Sequence, residues 1–555
     1  MANFLENAFA QLRKAGGRVV LREIRGSEFV SVSGAELLDQ IARGRAYIRQ
    51  SGMEPGDRCA LLGPNSIGWV AIDLALMSEG IVVVPLYARQ APTELAGMLQ
   101  DCTPPLLIAS DAALGQSIAQ VWPAAPRHVT FEAIFGEIPP ERGMYGPLPA
   151  RQAADLVTII YTSGTSGEPK GVCLSMKNLD HMLGCTTGWI DRLDYNEREP
   201  MRVFQYLPFN FAASWIVMMS CLTRDTVLTL STDLNKLADE IRISAPHYFF
   251  NVPTLLERVK RGVEELLSKR ASPIQTIYKR GRAAWQTRNA GGSGGGFWLL
   301  LAQKLIFGKV RERFGPNLRG LVCGSAPLAP ETQEFFAMLG IPIWQVYGLT
   351  ETCGICTMDD PRLPSEPGRV GQAVPDVEMK VGENEEILVR GPNIFPGYWS
   401  RPEETARVLR DGWFHSGDQG EMNTRGNWRI SGRIKNLIIL NSGHNIAPEP
   451  IEEKIAQRLA GAQQVVVVGN GRGYLCVLIT GGVMREAAQS AIDVVNTELP
   501  HYRQVRNLAI LADVFSPENG LLTANGKLKR EAINQKYREE IEQMYRKQAA
   551  SAGGN

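Results

Sequence analysis

The 555-residue chain carries almost no excess charge of either sign: 59 Lys and Arg stand against 58 Asp and Glu, a formal net charge of +1. That balance excludes the global field by which nucleic-acid and other polyanion binders attract their partners, so the expected ligand is small. No apolar run approaches the ~18 residues that span a bilayer. Even Phe-Trp-Leu-Leu-Leu at 297–301 soon meets Gln303 and Lys304. No repeat of fixed short period is present, which excludes solenoids and propellers. The nine cysteines, from Cys59 to Cys476, lack a metal-ligand spacing. Cys353 and Cys356 form a C-x-x-C, but within a Tyr-Gly-Leu-Thr-Glu-Thr context rather than a thioredoxin-like βαβ unit, so the spacing reads as coincidence. With no secretory signal ahead of Ala-Asn-Phe-Leu-Glu-Asn, reduced thiols and a cytoplasmic location are expected, and peripheral contact with a membrane stays open.

What is present is enough to build a large core. The chain is 44% hydrophobic, and its length suggests about three or four compact lobes. Strand-like runs at 80–87, 156–162, 226–230 and 318–324 alternate with helical patterns such as 253–269, which predicts an α/β fold with largely parallel sheets. Between 271 and 296 the pattern lapses into a segment with four basic residues, no acidic ones and five glycines near its end, read as a mobile surface excursion. A second change falls near 433–435, where a smaller unit begins, rich in short strands such as Gln-Val-Val-Val-Val-Gly and closing in a charged helix. The expected division is 1–433, a hinge at 434–436, and 437–555.

One loop carries chemistry. In Ile-Ile-Tyr-Thr-Ser-Gly-Thr-Ser-Gly-Glu-Pro-Lys-Gly (159–171), a strand is followed by Thr162, Ser163, Gly164, Thr165, Ser166, Gly167 and Lys170. Backbone N–H groups, hydroxyls and a cation then converge, which suits an oligophosphate. The Walker A pattern requires Gly-Lys-[Ser/Thr], whereas here Gly167 precedes Glu168 and Pro169, so this is a different phosphate loop.

This loop resembles the signature of the acyl-adenylate-forming synthetases: acyl-CoA synthetases, nonribosomal adenylation domains and luciferases. In chain order follow Gly-Ser-Ala-Pro-Leu (324–328), Tyr-Gly-Leu-Thr-Glu-Thr (347–352), Gly-Trp-Phe-His-Ser-Gly-Asp (412–418), the stretch 432–452, and Asn-Gly-Lys-Leu-Lys-Arg (525–530), each similar to a family motif. Within the superfamily the text at 304–315 and 526–545 looks most like bacterial long-chain fatty acyl-CoA synthetases. The resemblance implies a large N-terminal domain of layered α/β subdomains with a small mobile α+β C-terminal domain. It also implies ATP-dependent activation of a carboxylate, a medium- or long-chain fatty acid, to acyl-AMP with release of pyrophosphate, followed by thioester formation with CoA and release of AMP.

It further implies residue roles. Thr162, Ser163, Gly164, Thr165 and Lys170 would wrap the β- and γ-phosphates, and Glu351, beside Thr350, would hold Mg²⁺. Adenine would lie against Gly324, Ser325, Ala326 and Pro327 and the Tyr347 ring, with Gly324 and Gly348 permitting close approach. Asp418 would bind the ribose hydroxyls, with Arg433 as a second ribose or phosphate contact. Lys527 would bring an ammonium to the carboxylate and α-phosphate oxygens, Lys435 would be the hinge, and Gly443 would lie beside the pantetheine channel.

The sequence departs from the fatty-acyl pattern where many relatives carry Leu-Pro-x-x-His-x-x-Glu. Here Phe211 takes the histidine position and Ser214 the glutamate position. A flat apolar wall at Phe211 suits an aromatic ring or an alkyl chain. The alternatives are therefore an adenylating enzyme for another carboxylate (aryl, carotenoid- or terpenoid-like), one loading a separate acyl carrier protein, and a non-catalytic ATP-binding regulator. The last is disfavoured because Lys170, Glu351, Asp418 and Lys527 are all present. No carrier-type serine motif follows residue 530, which favours CoA or a separate carrier as thiol donor. The oligomeric state is left open by the sequence.

Overall fold

The structure, a computed structural model, describes residues 2–137, 148–163, 169–193, 199–523 and 526–552. Three sheets form the larger unit. In a nine-stranded sheet the six strands Ile343–Tyr347, Gly320–Cys323, Tyr248–Asn251, Met201–Gln205, Thr226–Leu230 and Val19–Arg25 run parallel, with antiparallel strands at both edges. A seven-stranded sheet has a parallel centre that includes Val82–Leu86 and Leu156–Ser163. A third, antiparallel sheet holds Glu386–Arg390, Trp413–Met422 and Trp428–Arg433. The parallel strands are buried along nearly their whole length, because helices cover both faces. That is why they read as unbroken apolar runs rather than as alternations.

The smaller unit is built on Ala462–Val468, Leu475–Gly481 and Val505–Leu511. Period-two alternation splits its two faces. Val465, Val467, Val477 and Ile479 pack toward the helices Glu449–Arg458 and Arg485–Thr497, whereas Val466, Val468, Cys476 and Leu478 pack toward the C-terminal helices through Ile533, Tyr537 and Met544. The cores of the larger unit reach Trp428 and Ile430, and those of the smaller begin at Ile438. Among the described residues, no hydrophobic cluster draws members from both sides of 434–436.

The expected excursion at 271–296 is instead mostly helix. Ser272–Asn289 is an 18-residue helix laid against Gly296–Ala302. Its contact stripe uses small residues: a Cβ on Gly281 would stand 2.4 Å from the Cβ of Ala302, and one on Gly295 2.5 Å from that of Ala284. Arg280 lies 4.5 Å from the Trp298 ring centroid, and Tyr278 meets Phe307 edge-on. Phe297 and Leu300 remain 70% and 68% exposed.

Candidate active site

The C-terminal ends of the parallel strands, the antiparallel sheet and the smaller unit enclose a cleft of about 2660 Å³. This is where open α/β sheets place their ligands. Thr162, Lys170, Phe211, Ser325, Tyr347, Thr350, Glu351, Asp418, Arg433, Lys435 and Lys527 all line it, joined by Ala326, Pro327 and Gly348. Gly164 and Thr165 lie outside the described residues. Leu156–Ser163 and Pro169–Ser175 form an antiparallel pair with Thr162 opposite Lys170, so that lysine stands on the returning strand.

The carboxylate of Asp418 is fixed by register. Asp418 and Arg433 are opposite one another in the antiparallel pair Trp413–Met422/Trp428–Arg433, and Arg433 Nε donates to Asp418 Oδ1 at 2.9 Å. The Tyr347 hydroxyl, at the end of a parallel strand, donates to Asp418 Oδ2 at 2.8 Å. Asp418 is 4% exposed, and its charge holds the Arg433 guanidinium above its ordinary pKa. Burial, and then Asp418, pushes the Tyr347 phenol far up, so it remains a donor. Tyr347 itself is 9% exposed, and its polar end is committed to holding Asp418.

Glu351 projects from the short turn Thr350–Thr352, which is closed by a hydrogen bond from the Leu349 N–H to Thr352 Oγ1 at 2.9 Å. Its Oε1 accepts from the Tyr398 hydroxyl at 2.9 Å. The Tyr398 ring lies 5.5 Å from the Lys170 ammonium, which is ion-paired with Glu404. Burial first, then the charge of Lys435, lowers the Lys170 pKa. Sequence reasoning missed Tyr398 and Glu404. Two adjacent glutamates at the start of the helix Pro402–Val408 read as ordinary first-turn charges.

Lys527 comes from the smaller unit and faces Arg433, Asp418 and Glu351. The protein around the cleft, and then Arg433, lower its pKa to about 8 against the pull of Asp418 and Glu351, although the residue as a whole is exposed. The apolar end of the cleft is formed by Phe211, stacked on Phe250 with centroids 6.2 Å apart and planes 17° off parallel. Ser214 lies fully buried behind it.

The glycines behave differently from expectation. A Cβ on Gly324 would meet Val346 Cγ2 at 2.7 Å, and one on Gly348 the Gly354 carbonyl at 2.4 Å, so both glycines permit close approach of neighbouring protein, and Gly348 also lines the cleft. In the same turn Ser325 adopts φ +75°, and its Oγ is buried with no protein partner. Strain and an orphaned hydroxyl together mark a position organised for something other than stability. Gly443 is not in the cleft. It has φ +81° in the hairpin joining Ile438–Ile439 to Asn445–Ile446, with nothing within 4 Å of where a Cβ would stand. Cys353 and Cys356 are both buried and free, and burial pushes the Cys356 thiol up to about 12, so neither presents a reactive thiolate.

Comparison with known proteins matches this architecture. Residues 8–399 fit the AMP-binding enzyme family and residues 435–549 its C-terminal domain. The long-chain-fatty-acid–CoA ligase FadD15 of Mycobacterium bovis is 27% identical over 96% of this chain and 95% of its own length. Long chain acyl-CoA synthetase 3 of Arabidopsis thaliana is 25% identical over 96% and 89%. Among solved structures, the adenylation domain of a carboxylate reductase from Mycobacterium chelonae superposes with a TM-score of 0.80 at 22% identity, covering 98% of this chain and 91% of that one. ATP-bound MatB from Rhodopseudomonas palustris does so with 0.73 at 22%, covering 97% and 99%. A family match over residues 8–399, on a fold whose strand ends gather these side chains, means that the chain belongs to the AMP-binding enzymes.

Proposed function

We propose that this chain is an AMP-forming acid–thiol ligase that activates a medium- or long-chain fatty acid, using ATP, Mg²⁺ and CoA. The observation that carries the reading is the convergence of Lys527, from the smaller unit, with Glu351, Asp418 and Arg433 of the larger one. In the first step a carboxylate oxygen attacks the α-phosphate and pyrophosphate leaves; in the second a thiol sulfur attacks the acyl carbonyl and AMP leaves. Charge builds on oxygen in both, so the protein's work is positioning and electrostatic stabilisation. Lys170 balances the β- and γ-phosphate charge once it exchanges Glu404 for phosphate, and Lys527 does the same at the α-phosphate. Asp418, held by Tyr347 and Arg433, accepts from the ribose hydroxyls.

Glu351 would hold Mg²⁺. A single carboxylate fits that ion, which takes one or two carboxylates with phosphate oxygens and water. Among the described residues no cluster of three or more His, Cys, Asp or Glu could hold a metal by itself. An ion held by Glu351 would supply positive charge against that of the phosphates.

The stacked Phe211–Phe250 wall supports an alkyl chain, and the length and names of the relatives support a long one. Residues 1–433 and 437–555 would be the two domains, with Lys435 at the hinge between separate cores. Exposed Phe297 and Leu300 beside the basic face of Ser272–Asn289 support delivery of the acid from a membrane surface. No described helix is long and apolar enough to cross a membrane. A pyrophosphate-release assay over a carboxylate panel tests the substrate. Dodecanoate and longer acids should give the highest kcat/KM, and a far higher value for acetate or benzoate would overturn the alkyl assignment.

A further inference from the structure

Lys527 lies near the tip of a small hairpin, and the base of that hairpin is tied to the other unit. The Thr523 N–H donates to the Lys527 carbonyl at 2.8 Å, the Lys527 N–H to Thr523 Oγ1 at 3.1 Å, and the Lys529 N–H to the Leu521 carbonyl at 2.9 Å, with Leu522 bridged to Leu528. Two residues beyond Lys527, the Lys529 ammonium donates to Glu94 Oε1 at 2.8 Å. Glu94 belongs to Pro92–Cys102, a helix of the larger unit 435 residues away in sequence. Its other oxygen accepts from Gln90 Nε2 at 2.9 Å, so the carboxylate is oriented before Lys529 meets it. Nearby, Arg89 and Glu518 attract one another across the same boundary.

Among the described residues the two units also meet where the helix Glu449–Arg458 lies against Trp428–Arg433, a Cβ on Gly432 standing 2.9 Å from that of Ala447. Arg261 Nη1 donates to the Ala462 carbonyl at 2.9 Å, and no described hydrophobic cluster spans the two units. Within its own unit the hairpin is held by buried Leu521 and by Arg530, which donates to both Glu452 oxygens, and among the described residues Lys529–Glu94 is the polar contact across the boundary nearest Lys527 in sequence.

We propose that Glu94 is a positioning residue for the adenylation step: through Lys529 it latches the hairpin so that Lys527 faces the reacting oxygens, and it releases when the smaller unit turns for thioester formation. The inference rests on the two-step reading above. Glu94 and Lys529 both line the cleft, and in this role Glu94 acts on Lys529 rather than on substrate or phosphate. The side chains of Lys529 and Glu94 are 29% and 35% exposed, and ion pairs that water reaches contribute little. That weakness suits a latch that must open every turnover, whereas a strongly held pair would trap the first arrangement.

The test uses the full chain and four variants: Glu94→Ala, Lys529→Ala, the double alanine, and the charge swap Glu94→Lys with Lys529→Glu. Each single alanine should lower kcat for acyl-AMP formation about two- to five-fold at unchanged KM for ATP. Thioester formation from supplied acyl-AMP and CoA should hold or quicken. The double alanine should cost no more than either single, and the swap should recover most of the loss. Backbone hydrogen exchange over 521–529 and 87–94 gives a readout independent of turnover: it should rise in the alanine variants and return toward the parent in the swap. Unchanged exchange, an equal fall in both half-reactions, or a swap no better than Glu94→Ala would overturn the proposal. Failure of the parent to form acyl-AMP from any carboxylate would instead count against the two-step reading, with the latch still decided by exchange.

Discussion

The two units solve different problems with different materials. The larger holds its ligand-facing groups on strands whose register fixes them: Asp418 opposite Arg433, Tyr347 at a strand end donating to Asp418, and Glu351 on a closed turn. The smaller contributes the Lys527 ammonium, on a hairpin attached to a sheet with its own separate core. Binding groups gain from rigidity, because a preorganised carboxylate meets its ligand without rearranging. A group that must act once and then leave gains from standing on a body with little shared apolar surface.

If that division holds, the largest effect comes from the moving group. Lys527→Ala should lower carboxylate-dependent pyrophosphate release by on the order of 10²–10³ while CoA-dependent consumption of supplied acyl-AMP survives. An equal loss in both half-reactions, measured by single turnover, would break the contrast between the units. The same lysine predicts a pH limb. Its pKa is lowered to about 8, so the ammonium is present below that value and lost above it, and adenylation should fall as pH rises through about 8. Lys527→Arg should move that limb upward, since guanidinium stays protonated throughout.

Next in size is the fixed side. Asp418→Asn removes the charge that Arg433 and Tyr347 both address, and should raise KM for ATP about tenfold or more. Because water still reaches Arg433, thermal unfolding should report only about 1–2 kcal/mol of lost stability. An unchanged KM for ATP would detach Asp418 from the nucleotide.

Smaller effects sharpen the comparison on the moving side. At φ +81° any Cβ on Gly443 is strained by about 1–2 kcal/mol, so loss of thioester formation in Gly443→Leu could come from strain alone. Gly443→Asn, which tolerates the left-handed region, separates the two causes. Thioester formation retained with Asn and lost with Leu, at equal adenylation, supports a channel, whereas equal loss leaves only a turn glycine. Smallest of all, Phe297→Ser with Leu300→Ser should reduce partitioning onto anionic vesicles without altering turnover of a short soluble acid. Unchanged partitioning would remove the membrane contact.

Much of the fold was legible because its signals are local. Thr226–Leu230 is the predicted run, Leu156–Ser163 and Val82–Leu86 nearly so, and Pro253–Ser268 stops one residue short of the predicted helix. The segment 271–296 was misread for a physical reason. Its packing stripe is Gly281 and Ala284, small residues that hydropathy does not register but that let two helices approach closely, while of its four basic residues Lys279 and Arg288 are exposed, Arg280 covers the Trp298 ring and Arg282 faces Glu264.

The candidate site divides in the same way. Its chemistry-bearing types, Lys170, Glu351, Asp418, Arg433 and Lys527, stand in motifs of contiguous residues, which a sequence displays directly. What it does not display are partnerships between distant segments: Tyr398 on Glu351, Glu404 on Lys170, and Lys529 on Glu94. The composition and motif order determined by themselves that this is an α/β protein handling a small phosphorylated ligand. Only the tertiary structure decided that Gly324 and Gly348 make room for neighbouring protein, and that the smaller unit stands with Lys527 in the cleft and Gly443 outside it. Those facts depend on which surfaces lie against each other across hundreds of residues, and no local pattern encodes that.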